Sequence, residues 1–131
     1  MSVPGPRLTP SVTMPSFLSM DLRGHLDLLL LATLARTGPS HGYALITALR
    51  DNSSGTFDLP EGTVYPALHR LERDGSVVSR WSDDAPRRRR VYELTRAGHA
   101  ALTEREREWR VFARAVTQIS KLSLVRTGVF A

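Results

Sequence analysis

Residues 61–75 read EGTVYPALHRLERDG, and residues 76–95 continue SVVSRWSDDAPRRRRVYELT. In the first segment, apolar residues recur at helical spacing and leave threonine, tyrosine, histidine and arginine on the polar side. In the second, strand-forming residues flank a turn and a run of arginines. Together the segments offer an element that fits a groove of duplex DNA and positive charge that holds the phosphates beside it. They predict a winged helix that binds DNA.

Apolar spacing and capping residues predict three more helices around this pair. The first covers about residues 22–36, the second covers about 41–51, and the last covers about 96–124. Ser40 is the predicted cap of the second helix, and Thr95 is the predicted cap of the last. The helices therefore begin and end where turn-forming residues allow.

The third helix follows Pro60 and ends at Arg73. Pro66 lacks the N–H group that an interior helical position needs. We therefore expect the regular helix to begin near Thr63. Pro66 then falls in the first turn, where amide hydrogens lack helical partners.

The predicted order of elements is helix, helix, helix, hairpin, helix, with strands over residues 76–82 and 88–95. The fold class is therefore mainly α with a small β-hairpin, a winged helix-turn-helix domain with a long C-terminal dimerisation helix. We expect a flexible N-terminal tail over residues 1–19, because this stretch is rich in proline and poor in charge. The DNA-binding domain then covers residues 20–95, and the dimerisation helix and tail cover residues 96–131.

Composition restricts the class of protein. The 131 residues carry a net charge of +5, which suits a polyanionic partner without requiring one. Cysteine is absent, so disulfides, thiolate zinc sites and a cysteine nucleophile are excluded. The apolar run over residues 28–32 is far shorter than the ~20 residues of a membrane span, and no signal peptide is recognisable. We expect a soluble cytoplasmic protein, with Met14 and Met20 as alternative starts of the same domain.

The polar side of the third helix holds the candidate DNA contacts. Early positions of a recognition helix reach base edges, so Thr63 and Tyr65 are the candidates for base contact. His69 and Arg70 come later and suit the DNA backbone, and Gly62 permits close approach to the phosphate chain. The alternative is that Tyr65 packs over a neighbouring helix and that the arginine is an ordinary solvated residue.

Four consecutive arginines occupy the tip of the hairpin and the start of its second strand. Alternation puts Arg88 and Arg90 on one face, with Arg87 and Arg89 opposite. Arg87 and Arg88 are nearest the tip and suit a phosphate or a minor groove. Arg89 is a further candidate for DNA contact, while Arg90 is expected to lie over the domain. The alternative is that the basic run is only a solvated tip.

An apolar seam follows the last helix through Leu102, Trp109, Phe112, Val116 and Ile119, at spacings of seven, three, four and three. Such spacing is typical of a helix that pairs with another helix. We expect pairing with a second copy about a two-fold axis, which directs two reading helices to an inverted repeat. Trp109 and Phe112 then form a site where a small planar aromatic effector can be sandwiched. The alternative is that Trp109 is only dimer core.

Four stretches of the chain resemble the PadR family of bacterial transcriptional regulators. They are LRGHLD at residues 22–27, HGYALI at 41–46, EGTVYPAL at 61–68, and RRVYELT at 89–95 with the Ala-Gly pair at 97–98. Each stretch alone is loose, but their order and spacing are highly specific. The resemblance implies a dimeric winged-helix repressor that binds inverted repeats in promoters, often its own promoter.

The same resemblance implies roles for individual regions. The third helix and the wing touch DNA in such proteins, and the Gly42-Tyr43 region of the second helix approaches the DNA backbone. The single C-terminal helix resembles the short-tailed branch of the family, in which the last helix makes the dimer. In some relatives an aromatic residue of that helix stacks on planar drugs, and Trp109 occupies a comparable place.

Two other classes of function compete with this interpretation. A winged helix can serve as a protein-interaction module whose basic surface meets an acidic partner. An enzyme is disfavoured because the four histidines lack the spacing of metal ligands and the adjacent Asp83 and Asp84 point apart in a hairpin loop. We expect no cofactor and no metal.

Overall fold

The structure is a computed structural model that describes residues 16–83 and 88–120, and in these it has four helices and a three-stranded antiparallel sheet. In chain order the elements are α1 (Ser16–Thr37), β1 (Ser40–His41), α2 (Gly42–Asn52), α3 (Glu61–Arg73), β2 (Val77–Trp81), β3 (Arg90–Leu94) and α4 (Arg96–Ser120). The strands lie in the order β1-β3-β2. This architecture confirms the predicted winged helix-turn-helix, mainly α with a small sheet.

The core forms where α1, α2 and α3 bring their apolar faces together beside the sheet. Leu30, Leu45 and Val64, one from each helix, have no exposed surface. Tyr92 of β3 and Leu102 of α4 join the same cluster. Burying an aliphatic or aromatic side chain of this size stabilises a fold by about 1.5–3 kcal/mol. Packing against this cluster therefore determines which face each helix turns to solvent.

The first helix is longer than the apolar spacing predicts. It begins at Ser16 rather than near residue 22, so residues 16–19, assigned above to a flexible tail, belong to α1. Proline is found up to position 15 and not within the helix, which is consistent with a start at this point. Residues 1–15 lie outside the described part of the chain, as do residues 121–124 at the predicted end of α4.

Ser40 does not cap α2, and the predicted hairpin is part of a larger sheet. Ser40 lies opposite Tyr92 and His41 lies opposite Val91, which makes a two-residue strand on the outer side of β3. The Ser40 hydroxyl donates instead to the carbonyl of Gly38 at 2.8 Å. The prediction was wrong because Ser40 is extended and paired in the sheet, one residue too early for the N-cap position.

Pro66 lies in the second turn of α3, not in the first as predicted. The helix begins at Glu61, and the N–H groups of Thr63 and Val64 both donate to the carbonyl of Pro60, at 3.0 and 3.1 Å. The hydrogen bond that Pro66 cannot donate would have reached the carbonyl of Gly62. Both residues are exposed, so water can satisfy that carbonyl.

Thr95 caps α4 as predicted and ties its start to the sheet. Its hydroxyl accepts a hydrogen bond from the N–H of Gly98 at 3.0 Å and donates to the carbonyl of Gly75 at 2.6 Å. Gly98 packs against the backbone at Ser76: a Cβ at this position would lie 2.0 Å from that carbonyl oxygen. The base of the wing and the start of α4 are therefore held together by direct backbone contact.

Candidate nucleic-acid interface

An open groove of about 570 Å³ lies between the exposed face of α3, the start of α2 and the wing formed by β2 and β3. Of the candidate DNA contacts, Tyr43, Tyr65, His69, Arg88 and Arg89 line this groove, whereas Gly62 and Thr63 are not among its lining residues. Its walls consist of polar, aromatic and cationic side chains from all three elements. The lining residues are His41, Gly42, Tyr43, Tyr65, His69, Trp81, Arg88, Arg89, Arg90 and Tyr92.

The packing of α3 explains which of its side chains are available. Its buried stripe consists of Val64, Ala67, Leu68 and Leu71. The opposite side is left to solvent, so Gly62 and His69 are exposed and Thr63 is partly exposed. These three candidates from the sequence therefore lie on the accessible side of the helix.

Tyr65 is partly buried and packs on α2, which is the packing alternative named above. A Cβ built on Gly42 would lie 2.4 Å from the Tyr65 ring, so the ring occupies the space that a side chain at position 42 would need. Burial raises the pKa of the Tyr65 hydroxyl, and the negative charge of Glu61 raises it further. Tyr65 therefore fills the space between α2 and α3 beside Gly42, and it also lines the groove.

Arg70 points away from the candidate groove. Its guanidinium forms an ion pair with Asp27 of α1, whose side chain is buried. A buried carboxylate needs such a partner because an uncompensated charge in the interior is strongly destabilising. The prediction that Arg70 holds the DNA backbone is therefore withdrawn: its cation neutralises Asp27 instead.

The arginines of the wing are organised by an aromatic residue that the sequence interpretation missed as a functional candidate. Arg88 and Arg90 both lie over the ring of Trp81, at 5.2 and 5.1 Å from its centre. They share a side, as the alternation predicts, and Arg89 is exposed. Arg87 lies outside the described residues. Trp81 is opposite Arg90 in the strand pairing, and this register is the signal that identifies its role.

A hydrogen-bonded chain connects the wing to α3. The guanidinium Nε of Arg90 donates to the Ser79 hydroxyl at 2.9 Å, and that hydroxyl donates to Glu72 of α3 at 2.7 Å. Burial raises the pKa of the neighbouring Tyr92 hydroxyl, Arg90 lowers it, and Glu72 and Tyr65 raise it. The wing is therefore oriented relative to α3 by side chains of both elements.

The start of α2 forms the remaining wall of the groove. Tyr43 is 65% exposed there. The helix begins after His41, and among the described residues no side chain caps its first amides. Free N–H groups at a helix N-terminus favour an anion through both hydrogen bonding and the helix dipole. This region can therefore accept a phosphate.

The seam of α4 is divided between two surfaces. Leu102 is 8% exposed and belongs to the core of its own chain, so it is not available to a partner and the prediction that it lies in a dimer interface is corrected. Trp109, Phe112, Val116 and Ile119 remain exposed. Four large apolar side chains along one helix face form the kind of surface that normally contacts another protein.

A cavity of about 240 Å³ lies between α1 and α4, where the seam begins. The His25 and Trp109 rings form a T-shaped pair, 5.7 Å between ring centres with an interplanar angle of 83°, and the ring centre of Phe112 lies 5.9 Å from that of Trp109. The cavity thus has aromatic walls next to charged groups. It is lined by Gly24, His25, Leu28, Arg105, Glu108, Trp109 and Phe112.

None of the helices within 16–83 and 88–120 is both long and apolar enough to cross a membrane. In the same ranges there is no group of three or more histidine, cysteine, aspartate or glutamate side chains that could hold a metal ion.

The fold and the groove define the class of protein, a winged helix-turn-helix with an arginine-bearing wing. Comparison with known families identifies the particular one: residues 30–104 match the model of the transcriptional regulator PadR-like family. The chain belongs to this family. Its members are described as transcriptional regulators.

Individual relatives are consistent with this assignment. The transcriptional regulator Rv3488 of Mycobacterium tuberculosis is 54% identical over 55 residues, which cover 42% of this chain. The match spans about half (51%) of that relative's length. A solved PadR family regulator from Eggerthella lenta is 31% identical, with a TM-score of 0.68 and 82% of this chain and 93% of that chain covered. A transcriptional regulator from Clostridium thermocellum is 27% identical, with a TM-score of 0.68 and coverage of 74% and 94%.

Proposed function

We propose that the chain is a sequence-specific DNA-binding repressor that acts as a homodimer on an inverted-repeat operator. The observation that carries the proposal is the groove, where the polar face of α3, the uncapped start of α2 and the arginines of the wing meet. A reading element flanked by two phosphate-binding elements is the arrangement that recognition of duplex DNA requires.

Each element has its own role in this proposal. Thr63, early in α3, contacts base edges in the major groove, and Gly62 lets the helix approach the DNA closely. His69, Arg88 and Arg89 hold phosphates. Tyr43 and the first amides of α2 hold the phosphate chain on the other side of the reading helix.

The exposed seam of α4 supplies the dimer contact. Trp109, Phe112, Val116 and Ile119 become buried when two copies pair their last helices about a two-fold axis. The two α3 helices then address half-sites separated by about one turn of duplex, ~34–36 Å. The operator is therefore expected to have the same two-fold symmetry as the protein.

The cavity between α1 and α4 is the proposed effector site. The aromatic rings of Trp109, Phe112 and His25 fit a small planar aromatic molecule. Such a molecule releases DNA only if it binds more tightly to a spacing of the two reading helices that does not match the operator. The cavity adjoins the proposed dimer seam, so its occupant can influence that spacing.

Fluorescence anisotropy tests the proposed function. The purified protein is titrated onto the DNA upstream of its own coding sequence and onto a random duplex of equal length, each at two salt concentrations. Tight binding of one dimer to the upstream DNA, with a clear preference over the random duplex, is the expected result. Failure to bind either duplex at moderate salt contradicts the proposal and favours the protein-interaction module.

A further inference from the structure

A buried carboxylate connects the reading helix to the helix that lines the cavity. Asp27 of α1 has a side chain that is 7% exposed, and each of its oxygens faces a different guanidinium. Arg70 of α3 pairs with Oδ1, and Arg105 of α4 lies 3.3 Å from Oδ2. Three helices that are separate in sequence therefore share one ionic cluster.

Arg105 belongs both to this cluster and to the cavity wall. While one of its terminal nitrogens faces Asp27, the other donates to the carbonyl of Gly24 at 3.4 Å, and the side chain lines the cavity beside Trp109. It is 37% exposed, so a molecule in the cavity can reach it. Any occupant that attracts or displaces the Arg105 guanidinium changes the pairing of Asp27.

A change in that pairing acts on α3. When Arg105 moves away, Asp27 keeps Arg70 as its ionic partner. A buried carboxylate without any cationic partner would strongly destabilise the fold. Arg70 lies about two helical turns after Thr63, on the same rigid helix. A tighter or shifted Arg70 pair therefore moves or tilts the residues that face the groove.

We propose that Asp27 couples the cavity to the reading helix: the Arg105–Asp27–Arg70 cluster transmits occupancy of the cavity to the seating of α3. The inference rests on the proposed DNA-binding function and adds a positioning role for three residues that do not line the groove. If the cluster only stabilised the fold, its removal would lower the stability of the protein, and DNA binding in the groove would not affect the cavity. Coupling must also be reciprocal, so DNA bound in the groove has to alter the environment of the cavity.

The test follows the cavity while DNA binds. The chain has two tryptophans, Trp81 and Trp109, so labelling with 5-fluorotryptophan gives two ¹⁹F NMR resonances, and Trp81→Phe assigns them. Trp109 lines the cavity and Trp81 lies in the wing. Saturation of the unmodified chain with duplex DNA is expected to shift the Trp109 resonance as well as that of Trp81.

Removal of the Arg105–Asp27 ion pair should reduce the DNA-dependent shift of the Trp109 resonance. In Arg105→Met the DNA-dependent shift of Trp109 is expected to fall about fivefold or more, with a comparable loss of affinity for duplex. Arg107→Met is the matched control, because Arg107 lies on the same helix and pairs with the exposed Glu104. This control should leave both quantities unchanged. Arg105→Lys, which keeps a cation near Asp27, should retain part of the shift.

The outcomes separate the inference from the function on which it rests. A Trp109 shift in Arg105→Met as large as in the unmodified chain overturns the inference and leaves DNA binding intact, as does a missing Trp109 shift when the unmodified chain is saturated. Lack of saturable binding to any duplex overturns both. If Arg105→Met does not fold, the Trp109 shift is measured in Asp27→Asn, which removes the carboxylate shared by both arginines.

Discussion

Gly42 has no side chain, and this lets α2 and α3 pack closely at that point. The Tyr65 ring lies where a Cβ on Gly42 would be, with Cε1 at 2.4 Å and the hydroxyl oxygen at 2.5 Å from that point. Gly62, in the first turn of α3, has no such neighbour within 4 Å. The two glycines of the candidate interface therefore have different surroundings: at Gly42 the missing side chain allows close packing of the two helices, and Gly62 faces open space.

Alanine substitutions distinguish the crowded position of Gly42 from the open position of Gly62. Gly42→Ala is expected to lower the free energy of unfolding by about 1–3 kcal/mol, because the ring and the helices must shift to admit the methyl group. Gly62→Ala is the control and is expected to raise it by about 0.5–1 kcal/mol, since alanine is the better helix former. Urea unfolding followed by circular dichroism measures both. Equal stability of the two variants would show that Tyr65 does not pack on Gly42 as described.

The helix α4 contacts the core of its own chain through Leu102, near its start. Further along, it presents an exposed apolar face. Two exposed side chains allow the face to be tested, because Phe112 and Val111 have almost the same exposure, 58% and 57%. Phe112 belongs to the seam with Trp109 and Val116, whereas Val111 lies on a different side of the helix. Only the first is expected to meet a partner.

Lysine at the seam should therefore separate the dimer. Phe112→Lys is expected to raise the dimer dissociation constant about 100-fold or more, since an apolar burial of about 1.5–3 kcal/mol is lost once in each copy. Val111→Lys should leave it unchanged. Sedimentation equilibrium over a range of concentrations measures the constant. Dimers of equal strength in both variants would mean that the seam is not the interface.

The salt dependence of DNA affinity tests whether the arginines of the wing hold phosphates. Arg88→Ala combined with Arg89→Ala is expected to weaken binding to every duplex and to reduce the slope of log affinity against log salt by up to about one unit per lost phosphate contact. Arg107→Ala also removes a cation, but on α4, away from the groove. It should leave the slope unchanged. An unaltered slope in the wing variant would show that these arginines do not hold phosphates.

Periodicity predicted the elements well but not the partners of individual side chains. The amphipathic pattern of α3, the strands of the wing and the Thr95 cap follow from local sequence. The two-residue strand at Ser40 is too short to have a pattern. The Arg70–Asp27 pair joins residues 43 positions apart in the chain, and the burial of Leu102 depends on how α4 packs on α1. A helical stripe cannot indicate whether it meets its own core or a second molecule.

At the scale of the whole molecule, three surfaces with different chemistry are fixed to one core. The groove is polar and cationic, the seam of α4 is apolar, and the cavity between α1 and α4 is aromatic with an ionic cluster behind it. In the proposed dimer, pairing through the seam would set the distance between two grooves, and the cavity lies next to that seam. If a small molecule in the cavity changes the affinity for DNA, a coupling free energy must link the cavity to the groove.

The central claim is that two copies of this chain read a two-fold symmetric DNA sequence. The most direct test is repeated selection of bound duplexes from a random-sequence library, followed by sequencing, with the double wing variant selected in parallel. The prediction is enrichment of an inverted repeat whose half-sites are about one helical turn apart, with clearly weaker enrichment by the wing variant. Enrichment of no sequence above the starting library, or of a single unrepeated site, would contradict the claim.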